Sequence, residues 1–82
     1  MKIRGFNGQK NISGQRIKLI REKHKWTQTD LAAKLQIENV LVEQKAISRM
    51  EIGERLIADY ELLALAKTLR VSVTWLLTGI DK

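Results

Sequence analysis

Eighty-two residues, 44% of them hydrophobic, are enough for one domain with a thin core and leave no room for a second. The absence of cysteine excludes a disulfide framework and a thiolate metal cluster, and the one histidine, His24, cannot build an imidazole site alone. The net charge of +6 is unevenly spread: residues 1–25 carry eight Lys/Arg against the single acid Glu22, whereas residues 26–82 carry seven against eight acids. A basic end of this kind suits a polyanion or an anionic membrane surface, or simply keeps the chain soluble.

Residues 1–12 hold two glycines, two asparagines and no hydrophobic period, and read as a flexible basic arm preceding a folded domain at 13–82. Ser13 is a helix N-cap residue, and the run from Gln15 to Lys25 places Ile17 and Ile20 on one side of a first helix. Thr27 followed by Asp30 approximates a capping box, with Leu31, Ala32 and Leu35 as the apolar stripe of a short second helix. Gln36 to Glu43 lacks a helical period and contains Asn39, which tolerates a left-handed backbone, so it reads as a connector. A third helix follows from about Gln44 to Ile52, with Ala46, Ile47 and Met50 inward, Gln44, Lys45, Ser48 and Arg49 outward, and Gly53 as its stop. Asp59 is the expected cap of a fourth helix striped by Leu62, Leu65, Ala66 and Leu69; Ser72 caps a fifth that Gly79 ends.

Five short helices with short connectors make an all-α bundle. Asp59, Glu61, Lys67 and Arg70 interrupt the apolar stretches at 57–77, which excludes a membrane span. The start, Met1 to Gly5, lacks the apolar run of a signal peptide, and a cytoplasmic setting is expected. No nucleophile and base, phosphate loop or metal-ligand spacing occurs, so neither enzymatic activity nor a cofactor or metal is expected.

The segments GQRIKLIREKHKWTQTDLAAKL, AISRMEIGER and ELLALAKTLRVSVTWLLTG, in that order over residues 14–79, resemble the Cro/repressor-type (XRE-like) helix-turn-helix family. The resemblance implies a lambda-repressor-like five-helix fold in which helices two and three form the helix-turn-helix and helix three lies in the DNA major groove. It implies a bacterial or phage transcriptional regulator, a repressor by preference, that binds a double-stranded DNA operator as a homodimer. Independently, a face of Gln, Lys, Ser and Arg carries the donors that recognise base edges and phosphates. Base reading is therefore assigned to Gln44, Lys45, Ser48 and Arg49, and backbone positioning to Thr27, Gln28, Arg16 and Arg55. By the resemblance, Arg16 and Glu51 form a structural pair bridging the first helix to the end of the third.

Four departures from the family pattern stand out. The stretch between helices two and three is about five residues longer than the family's turn. Lys25 and Glu43 occupy positions where the family favours Gly and a capping residue, and Leu19 and Leu63 replace polar ones. Trp26 and Trp75 are expected to pack in the core or at an interface, and His24 to be solvated near a helix end. The competing function is an antitoxin or adaptor of the same fold, contacting a protein partner through Leu19, Leu63 or Val40-Leu41-Val42.

Overall fold

A computed structural model describes residues 7–80, which form five α-helices: α1 (Gly14–Lys23), α2 (Gln28–Ile37), α3 (Gln44–Glu51), α4 (Asp59–Leu69) and α5 (Val73–Thr78). The expected all-α bundle of five short helices is what the chain adopts. Ile17, Leu31, Leu35, Ile47, Met50, Leu65, Leu69 and Leu76 are fully buried and draw on all five helices. Burying each such side chain contributes about 1.5–3 kcal/mol before chain entropy is set against it.

The helix starts differ from expectation in two places. Ser13 makes no side-chain cap to α1; Asn11 does, its Oδ1 accepting from the Ser13 and Gly14 N–H groups at 3.1 and 2.8 Å. The Asn11 amide also donates to the Met50 carbonyl at 3.0 Å and the Arg55 carbonyl at 2.8 Å. One side chain thus starts α1 and ties it to the end of α3. The Lys10 N–H donates to the Gly53 carbonyl at 2.8 Å, so the hydrogen-bonded domain reaches back into the segment expected to be a loose arm. Lys2 and Arg4, the first cations of that arm, lie outside the described residues. At α4 the N-cap is Ala58, not Asp59; Glu61 reaches back to accept from the Ala58 N–H at 2.9 Å and satisfies that end from inside the helix.

Elsewhere the local chemistry works as anticipated. Thr27 and Asp30 form a reciprocal capping box on α2, at 3.0 and 2.8 Å, and Ser72 accepts from the Trp75 N–H on α5 at 2.9 Å. Gly53 and Gly79 end α3 and α5 with φ of 80° and 76°, and Asn39 sits at 63° just after α2. Val40 is buried and its N–H donates to Leu35, which pins the long connector against the core. Buried Gly14 lies so close to α3 that a Cβ there would overlap the Met50 carbonyl oxygen. No helix among the described residues is long and apolar enough to cross a membrane.

Candidate nucleic-acid interface

The eight residues of α3 divide by the helical period. Ile47, Met50 and Glu51 are buried, Ala46 and Ser48 half-buried, and Gln44, Lys45 and Arg49 exposed. Lys45 and Arg49, four residues apart, share one face. Neither makes an ion pair or a side-chain hydrogen bond among the described residues, so their charges are available to a ligand. Glu43 makes no side-chain cap, and the first N–H groups of α3 are left without that partner.

What fixes α3 is a polar chain built around Glu51. Its carboxylate accepts from Arg21 Nε at 2.7 Å, Arg21 Nη2 at 3.1 Å and Gln28 Nε2 at 2.9 Å. Gln28 Oε1 in turn accepts from Gln44 Nε2. A continuous path therefore runs from α1 through the last turn of α3, across to the first turn of α2, and back to the exposed start of α3. The third guanidinium nitrogen of Arg21, Nη1, donates to the Trp26 carbonyl at 2.7 Å, so every nitrogen of the buried group has a partner. The hydrogen bond that Arg21 donates to Glu51 outweighs burial and holds the guanidinium above its ordinary pKa.

The pairing of Arg16 with Glu51 is therefore corrected: the partner is Arg21. Arg16 lies five residues earlier, about 140° round the helix, and turns toward α5, donating to the Ile12 and Leu76 carbonyls at 3.1 and 3.2 Å. The signal that identifies Arg21 is its spacing from Ile17, one turn along the buried stripe. Arg55, assigned to phosphate, forms a two-pronged pair with Glu61 at 2.9 and 3.1 Å. Burial alone raises the Glu61 carboxyl, but the bonds from Arg55 and the Ala58 N–H outweigh it and leave the carboxyl below its usual range. Thr27 is occupied as a cap, and its backbone N–H, with its hydroxyl, holds the Asp30 carboxyl below the ordinary value.

The aromatic positions pack rather than project. Trp26 and Trp75 lie against the core, and the ring of His24 stacks on Trp26 at 4.2 Å while Lys34 covers the indole at 4.4 Å. His24 is not solvated as anticipated: it is half-buried, with Nε2 3.1 Å from the Leu69 carbonyl at the end of α4.

Five helices, with α2 and α3 packed as the central pair and a polar face turned outward on α3, define a helix-turn-helix protein. The helix-turn-helix family model matches residues 17–76, and the chain belongs to that family in its Cro/repressor-type (XRE-like) form. Among solved structures it is similar to the P22 c2 repressor, with 34% identity and a TM-score of 0.73 over 85% of this chain and 98% of that one. That repressor was crystallised with synthetic operator 9T in the presence of Tl+. Among curated proteins no match is found.

Proposed function

We propose that this protein is a sequence-specific DNA-binding transcriptional regulator, acting as a repressor, that reads the major groove with α3. The observation that carries the reading is the division of α3: Ile47, Met50 and Glu51 lock it to the core while Gln44, Lys45 and Arg49 project from it. Gln bonds adenine at N6 and N7, and Lys or Arg bonds guanine at O6 and N7, so these three suit adjacent A and G positions in a half-site. Ser48, half-buried, reaches bases less, and Gln28 with Thr27 positions the phosphate backbone. Arg16 and Arg55 contribute to phosphates only through N–H groups left over from their intramolecular bonds.

The operator is taken by a homodimer whose two α3 helices lie about 34 Å apart, one turn of B-DNA. An apolar strip supports association: Tyr60 and Leu63 are more than half exposed and, with Val40, line a groove between α4 and the connector. The same strip, with Leu41 at 81% exposure beside it in sequence, supports a protein-partner role as the second reading. Selection of binding sites from a random duplex pool tests the primary proposal. A partly palindromic motif should be enriched, and loss of that motif's preference in Lys45→Ala and Arg49→Ala would assign it to α3. Failure to enrich any motif, with the protein folded, sinks the reading.

A further inference from the structure

The C-termini of α1 and α4 meet where His24 Nε2 approaches the Leu69 carbonyl at 3.1 Å. Beside this junction a groove of about 520 Å³ is lined by Ile20, Lys23, Arg70, Val71, Ser72 and Trp75. Its rim carries two cations and no acid, and its apolar part is Ile20, Val71 and the half-buried indole of Trp75. Neither Lys23 nor Arg70 makes an ion pair or a side-chain hydrogen bond among the described residues.

Cations near helix C-termini have a local explanation, since they complement the negative end of the helix dipole. That does not account for Arg70 as a residue. It holds φ 61°, ψ 45°, a left-handed conformation that glycine adopts freely and a residue with a Cβ adopts at a cost. Lys25, just past the end of α1, shares this left-handed conformation at φ 62°, and of the two strained cations it is Arg70 that lines the apolar groove.

The groove also lies away from the reading helix. Arg21 faces α3 through Glu51, and Lys23 sits two residues on, about 200° round the α1 axis. An occupant can therefore sit here while α3 is engaged.

We propose that this groove is a docking site for an acidic segment of a partner protein, with an apolar side chain seated on Trp75 and flanking carboxylates paired with Lys23 and Arg70. The charge of the rim selects the occupant: it repels other cations, and the indole with its aliphatic neighbours favours an apolar anchor over a bare polyanion.

The test uses the full chain and a fluorescein-labelled synthetic peptide of aspartates and glutamates around one central phenylalanine, with a neutral Asn/Gln copy as control. Two-dimensional 15N NMR should show the acidic peptide shifting the Trp75 indole N–H and the amides of Ile20 and Val71, with the neutral copy inert. Arg70→Gly should weaken that binding by roughly fivefold, in line with losing one charge pair, while thermal stability is unchanged or raised because the strained position is relieved. Lys23→Gln should weaken it similarly, and Lys45→Ala should not. The proposal is overturned by shifts confined to α3, by no shift at Trp75, or by Arg70→Gly binding as tightly as the parent. Displacement of the peptide from Trp75 by random duplex DNA would make the groove a second nucleic-acid contact instead. None of these readouts depends on α3 reading bases.

Discussion

Replacing Glu51 by alanine tests the polar chain at its centre. The carboxylate is 4% exposed and takes three hydrogen bonds, two of them from a guanidinium that is itself 8% exposed. Alanine there strands Arg21 as a buried, partly unpaired cation, and breaking a buried pair from one side costs about 3–5 kcal/mol. A domain of this length has about 4–12 kcal/mol to lose, at ~0.05–0.15 kcal/mol per residue. With a urea m-value of about 1 kcal/mol/M for so small a chain, that cost corresponds to a fall in the midpoint of about 3–5 M. A double-mutant cycle identifies the partner: Arg21→Ala with Glu51→Ala should show a coupling above about 1 kcal/mol, whereas Arg16→Ala should add within about 0.5 kcal/mol. A Glu51→Ala cost below about 1 kcal/mol, or strong coupling to Arg16 in place of Arg21, would refute the reasoning.

On a selected site, Lys45→Ala and Arg49→Ala should each cost about 1–3 kcal/mol and relax preference at one or two base pairs, and equal losses on random DNA would mark them as phosphate contacts. Log K should fall against log salt by about 0.9 for each phosphate neutralised; intact binding with a flat salt profile would remove phosphate contact from the mechanism. Gly14→Ala should destabilise by about 1–3 kcal/mol, because α1 must move off the Met50 carbonyl, and an unshifted urea midpoint would show the approach to be looser than described. Glu61 has a folded pKa below its unfolded one, so its contribution is complete above the ordinary carboxylate value of about 4.3 and is lost as pH falls through the lower folded value. Glu61→Gln should flatten that part of the acid limb in thermal melts across pH, and an identical limb would assign the pH dependence to other carboxylates.

The hydrophobic period and the local punctuation are properties of neighbouring residues, and they were legible in the sequence. The stripe Leu65, Ala66, Leu69, the Thr27–Asp30 box, the Ser72 cap and the Gly53 and Gly79 stops each act within a turn or two of the chain. The outward face of α3 follows from the same arithmetic. Long-range polar bonds do not. That Asn11 starts α1 depends on the end of α3 being near enough to take its amide, 39 residues away in sequence. Glu51 has two arginines of α1 within plausible reach on paper, and only the rotation of α1 against α3 gives it Arg21 and turns Arg16 toward Leu76. Arg55 is assigned to phosphate by its place in the sequence, and only the packing of α4 puts Glu61 against it. The groove at Trp75 likewise exists only because α1 and α4 end side by side, which no local pattern encodes. Hydrophobic burial is non-directional and readable from spacing, whereas the choice among polar partners is set by distances that exist only once the helices have packed.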